Sequence, residues 1–225
     1  MMKYVSYLLW FLIIPLLILL YATKEYRIIS AAIVVLAILP FFLSFELSRP
    51  QAVRIVLVAV LSALNVVLRI IFSPLPFFKP LSALVILIGL AFGSESGFLV
   101  GAFSALLSNF YFGQGIWTPY QMFAWGIIGA LSGLLKPVLE LKRLPRYLIL
   151  ALAGILSAFL FSGIMDVQTA IYLDNRLLLS RFLAAATASL PFTLTHAAAN
   201  VFFLLVFGGF VLRTFKRIEG KFLDK

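Results

Sequence analysis

The sequence predicts an all-α integral membrane protein of about eight helices, an N-terminal pair followed by a bundle of six. Three observations predict it. Ala, Val, Ile, Leu, Met, Phe, Trp and Tyr make up 64% of the 225 residues, against 12% for Asp, Glu, Lys and Arg, and mean hydropathy is +1.14. A soluble domain carries roughly half apolar and a quarter charged residues, so the surplus fits a chain whose outer surface faces lipid. The few charges lie between uncharged runs, many of them near the roughly 17–25 residues a membrane helix needs. Lys and Arg are also unevenly shared between alternate loops.

Taken in order, residues 4–22 and 28–45 are two charge-free runs that form the N-terminal pair of unit 1–47. Only Lys3 precedes the first, and no small-residue cleavage site stands cleanly before Lys24, so it reads as a retained helix rather than a signal peptide. The second unit, 48–225, opens with a helix over 53–72, stopped by Ser73-Pro74-Leu75-Pro76 because proline lacks the donor a helix needs. A short helix over 81–92 ends at Gly93-Ser94-Glu95-Ser96-Gly97. Residues 96–135 carry no charge and read as two crossings joined by a turn at 113–119. Another crossing covers 147–165. The last run, 182–212, is too long for one straight span, and Pro191 predicts a final helix over 191–212, with the stretch before it on the outer surface.

The basic residues assign the sides. Lys3, Arg49, Arg54, Lys136, Lys142, Arg143, Arg146 and the five of the C-terminus, Arg213, Lys216, Arg217, Lys221 and Lys225, fall on one side. Lys24, Arg27, Lys79, Arg176 and Arg181 fall on the other, and Arg69 lies within a helix. The positive-inside rule then puts both termini in the cytoplasm of a multi-pass cell-membrane protein. Because these charges sit in short loops, the net charge of +10 reflects topology and not a nucleic-acid surface. Gly97, Gly101 and Ala105, Gly129 and Gly133, and Gly89 and Gly93 recur every four residues, a spacing that lets helices approach closely.

Several chemistries are missing. There is no cysteine, no GxxxxGK[ST] phosphate loop and no HExxH, since His196 is the single histidine. The eight acids, among them Glu95, Asp166 and Asp174, are expected at helix ends or in loops, where none pairs with another at helical spacing. Neither an enzyme nor a proton-coupled carrier is expected, because each would need reactive groups or acids within the span. No cofactor or metal is expected.

Three outer segments combine aromatics with uncharged polar groups: 72–80, with Phe77; 109–122, with Asn109, Tyr111, Gln114, Trp117, Thr118, Tyr120 and Gln121, running on to Trp125; and 166–181, with Asp166, followed by Thr193, His196 and Asn200. An interfacial aromatic belt accounts for some of the rings. Polar groups converging at several helix ends under aromatic loops describe a small-molecule pocket. Asn65 and Arg69 stand one turn apart on one helix face. Arg69 reads either as snorkelling to the interface or as a pocket residue, and His196 equally as a packing histidine or a ligand contact.

From Arg54 onward the chain resembles the substrate-binding S components of energy-coupling factor (ECF) vitamin transporters. Ala59-Val60-Leu61-Ser62-Ala63 matches the family's AxxxA docking motif, and GLAFGSESGFLVG at 89–101 its glycine-rich turn. Residues 112–135 match the loop feeding the fourth of six helices, and SLPFTLTHAAANVFF at 189–203 the start of the sixth. The resemblance implies a six-helix bundle that binds a vitamin tightly from outside. It then docks through Ala59 and Ala63 on a transmembrane coupling subunit driven by two cytoplasmic ATPases. The Gly-Gln-Gly-x-Trp-Thr-Pro loop and the Leu-Pro-Phe…His…Asn segment look most like the cobalamin branch; riboflavin or another heterocycle is the alternative. A structural membrane protein and a self-sufficient permease are the readings outside the class. The N-terminal pair departs from the six-helix pattern.

Overall fold

The computed structural model describes residues 26–47 and 52–222, and all regular structure among them is helical. Its helices are α1 (Tyr26–Leu47), α2 (Ala52–Ile71), α3 (Leu81–Phe92), α4 (Ser94–Phe112) and α5 (Trp117–Leu134), followed by a 3-10 turn at Lys136–Glu140. The chain continues through α6 (Arg143–Asp174), α7 (Leu179–Val206) and α8 (Gly208–Phe222). This is the helical membrane bundle the composition predicts. The expected crossing over 4–22 lies outside the described residues, so α1 is the second member of the expected pair.

Helix α2 shows why the bundle needs lipid. Its buried face carries Val58, Leu61, Ser62, Asn65 and Arg69, while Ile55, Val56, Val60, Leu64 and Val67 are exposed. Polar groups point inward and aliphatic ones outward, the reverse of a soluble surface helix. By length and hydropathy α2, α6 and α7 can each cross a membrane unaided. Helices α3, α4 and α5 supply much of the buried interior. Helix α3 is buried along almost its whole length, from Leu81 to Ala91, as befits a helix that is apolar all round. At 12 residues it spans about 18 Å, short of the hydrocarbon thickness of about 30 Å.

The expected loop at 93–97 contracts to one residue. Gly93 takes φ 88°, which an L side chain adopts only with strain, and α4 starts at Ser94. Close backbone contact then locks α3, α4 and α5 together. A Cβ on Gly129 would stand 2.1 Å from the Gly97 carbonyl oxygen, and one on Gly89 2.2 Å from that of Gly129. Helix α1 packs on this centre: Phe41 stacks on Phe98 with centroids 3.7 Å apart, and Ser44 donates to Glu95 at 2.8 Å.

Three expectations are corrected. The crossing over 147–165 extends in both directions into a 32-residue helix, Arg143–Asp174. Pro145 falls in its first turn, where a missing N–H costs nothing, and Asn175 closes it in the left-handed conformation at φ 50°. Asp166 therefore lies inside a helix, buried, and not at a helix end or in a loop. Third, no helix starts at Pro191: α7 runs straight through it and the break comes at Phe207. Away from water, one lost hydrogen bond at proline costs less than unwinding a turn and leaving several carbonyls unpaired. Beyond Phe207, α8 turns Phe215 onto Phe92 (5.1 Å between centroids) and leaves Arg213, Lys216 and Arg217 exposed. Lys136 and Glu219 pair at 2.9 Å across its outer side.

Candidate ligand-binding site

The site grows from the inner face of α2. Asn65, fully buried, donates to Ser104 Oγ at 3.1 Å. One turn on, Arg69 Nη1 donates to Ser108 Oγ and, at 3.1 Å, to Asn109 Oδ1. Asn109 is buried as well, and its amide donates to Gln121 Oε1 at 2.8 Å and Thr118 Oγ1 at 3.1 Å. Thr118 in turn donates to Gln114 Oε1 at 2.9 Å, while Gln114 Nε2 closes the turn on the Leu106 carbonyl at 3.0 Å. One network thus runs from α2 through the end of α4 to the first turn of α5, and it fixes the side chains above it.

Above the network lies a cavity of about 130 Å³, lined by Arg69, Phe77, Lys79, Leu81, Ser82, Gln121, Trp125, Phe161 and His196. Trp125 stacks on Phe161 with centroids 4.6 Å apart, and His196 meets Phe161 edge-on at 5.4 Å. Trp125 Nε1, which can only donate, bonds Ser82 Oγ at 3.0 Å, and that oxygen lies 2.8 Å from His196 Nε2. The arrangement that uses both hydrogens runs from indole to hydroxyl to imidazole. It makes His196 a neutral acceptor at Nε2, with its proton on Nδ1. The Arg69 guanidinium lies over two rings, 4.6 Å from the Phe112 centroid and 4.9 Å from Trp125, and the Lys79 ammonium is 5.0 Å from Phe112. Lys79 stands in the loop outside the spans, where burial, and then the positive charge of Arg69, hold its ammonium below the usual lysine range. Phe77 sits at φ 59°, a left-handed backbone that costs about 1 kcal/mol for a bulky residue, and its ring lies 4.4 Å from Phe192.

The residues singled out from the sequence therefore divide by position. Arg69, Phe77, Gln121, Trp125 and His196 line the cavity; Asn65, Asn109, Gln114 and Thr118 form the network beneath. Tyr111 and Trp117 are exposed on either side of the turn between α4 and α5, away from the lining. Tyr120 faces the other way, into an apolar cluster with Val34 and Phe98. Asp166, Thr193 and Asn200 bind α6 to α7: Ser189 donates to Asp166 at 3.0 Å, Thr193 to Ser162 at 2.6 Å, and Asn200 to the Gly154 carbonyl at 3.1 Å. Ala59 and Ala63 lie exposed on α2, away from its buried face.

Lys79, Leu81, Ser82 and Phe161 are the lining residues that sequence reasoning missed. Lys79 carried a readable signal, a single charge set between Phe77-Phe78 and Pro80. Ser82 and Phe161 carried none, since a serine opening an apolar helix and a phenylalanine within one are ordinary.

A family model described as "ECF-type riboflavin transporter, S component" matches residues 51–211. No curated protein and no solved structure matches the chain.

Proposed function

Because the chain belongs to the family of ECF-type riboflavin transporter S components, a family of transport subunits in the membrane and not of enzymes, we propose that it captures a flat heterocyclic vitamin, riboflavin first, in the cavity between Trp125 and His196. The observation that carries this reading is the stacked Trp125–Phe161 wall faced by Ser82, Gln121 and His196. A planar ring system gains apolar contact from such a wall and meets hydrogen-bonding groups at its edges. The volume bears on the choice of vitamin. About 130 Å³ is below the roughly 300–1,000 Å³ of typical ligand sites, so the loop around Phe77 has to move to admit a whole flavin. A corrin macrocycle demands far more room, and cobalamin is the second reading.

Purified protein titrated with riboflavin and cobalamin tests this. Saturable sub-micromolar riboflavin binding, with flavin fluorescence quenched, supports the reading. Binding of cobalamin alone transfers the site to corrinoids. Binding of no vitamin sinks the vitamin reading and favours a structural role.

Transport in this proposal needs a transmembrane coupling subunit and its two ATPases, with both termini cytoplasmic. Ala59 and Ala63, one turn apart and exposed, leave a shallow track on α2 for a partner helix. Ala63→Leu is expected to abolish uptake by cells that express the whole transporter while leaving ligand affinity unchanged. Loss of binding as well would show that this face does not serve docking. Uptake without co-expressed partners would point to a self-sufficient permease.

A further inference from the structure

Two cations meet at the cavity and no carboxylate answers them. Arg69 is 8% exposed, and its hydrogen bonds to the described residues go through Nη1 to the neutral oxygens of Ser108 and Asn109. The donors on Nη2 and Nε make no hydrogen bond to the described residues, and the cavity lies against this guanidinium. Lys79 approaches the same Phe112 ring, so the two charges are no further apart than the sum of their distances to it. None of the lining residues is Asp or Glu, and among the described residues no ion pair joins either cation to an acid. The buried acid Asp166 is engaged with Ser189, and Glu95 with Ser44. Neutral hydroxyl and amide partners, and the faces of Phe112 and Trp125, stabilise a buried cation without cancelling its charge. A second cation nearby raises the cost of burying both. Depression of the Lys79 ammonium by burial and by Arg69 is the same imbalance seen from the other side.

We propose that Arg69 and Lys79 form an oxyanion subsite at the mouth of the cavity, so that of two ligands with the same ring the one bearing a carboxylate or phosphate, as flavin mononucleotide does beside riboflavin, binds the more tightly. This deepens the vitamin-binding reading and rests on it. The free donors of a guanidinium fork suit two oxygens of one such group, and the ammonium adds a point charge from the loop. The neutral ring occupies the Trp125–Phe161 wall while its acidic substituent turns toward the two cations.

Matched pairs that share a ring and differ in one acidic substituent test the subsite: flavin mononucleotide against riboflavin, pyridoxal phosphate against pyridoxal, and nicotinate against nicotinamide. Affinities are measured on the full-length protein in phosphatidylcholine and in phosphatidylglycerol nanodiscs. The acidic member of the pair that fits is expected to bind at least about tenfold more tightly, a preference that shrinks as salt rises. Lys79→Gln, a change in the cavity lining, is expected to weaken the acidic member far more than the neutral one and so to remove most of that preference. Arg69→Lys, which keeps the charge and loses the fork, is expected to remove part of it. Equal or tighter binding of the neutral member, unaffected by Lys79→Gln, overturns the subsite and leaves the vitamin-binding function standing. A preference seen in phosphatidylcholine and lost in phosphatidylglycerol assigns the cations to lipid headgroups and overturns it too. Binding of neither member of any pair overturns the subsite, and the vitamin reading falls with it unless cobalamin binds in the same assay.

Discussion

Gly129→Ala is expected to cost at least about 3 kcal/mol and to lower the unfolding temperature of the detergent-solubilised protein by roughly 10 °C. The new methyl would stand 2.1 Å from the carbonyl oxygen of Gly97 and 2.9 Å from its Cα. These are backbone atoms of α4 and cannot rotate away as a side chain would. Two helices have to separate, and Gly89 of α3 meets the Gly129 carbonyl in the same place. Overpacking of this kind costs more than an ordinary core change because a whole interface shifts. Gly163→Ala is the control. A Cβ there meets nothing within 4 Å, and alanine is the better helix former by about 1 kcal/mol, so stability is expected to hold or rise. Unfolding temperatures for Gly129→Ala within a degree or two of the parent protein would mean that α4 and α5 are not in this contact.

Trp125→Ala is expected to weaken vitamin binding at least about a hundredfold, equivalent to roughly 2.7 kcal/mol. The indole supplies the stacked wall with Phe161, the hydrogen bond that orients Ser82 toward His196, and one of the two ring faces under Arg69. Its loss removes apolar contact with the ligand and frees Ser82 and Arg69 to move, so ring and acidic substituent both lose their seats. Trp125→Phe keeps a ring without the N–H donor and is expected to retain intermediate affinity. Isothermal titration of the three proteins, with unfolding temperature as the check on folding, measures this. An affinity for Trp125→Ala equal to the parent's would place the ligand elsewhere.

How far the site could be read in advance depended on chemistry that announces itself. Arg69 is a charge inside an uncharged run, Trp125 and His196 are scarce residue types, and Asn109 with Gln121 breaks an apolar pattern, so each stood out on its own. Lys79 was legible as a charge yet was counted only for topology. Ser82 became part of the site only because α3 begins against Trp125, and Phe161 only because α6 lies across the indole. Asn200 and Thr193 look like ligand contacts in the sequence, but the neighbouring helix offers a carbonyl and a hydroxyl first, and a buried polar group takes the partner at hand. Tyr120 and Trp117 stand beside Gln121 and Thr118 in the sequence but not at the cavity, because successive positions on a helix point about 100° apart.

The helix inventory followed a similar rule. Charge-free runs, prolines and paired glycines marked α1 to α5 within a few residues, because each signal acts locally through a donor, a backbone angle or a missing side chain. Pro191 misled for the same reason: as a local signal it starts a helix, and only the lipid and neighbouring helices around α7 make carrying it through the better arrangement. The sequence by itself determined that this chain is a helical membrane protein of the ECF S-component class, since hydropathy, loop charge and motif order are properties of the chain alone. Only the tertiary structure decided which polar groups face one another and which are consumed by neighbours, and that two cations share one cavity wall without an acid. Those are distances between helices, set by glycine contacts that bring backbones together, and no spacing along the chain encodes them.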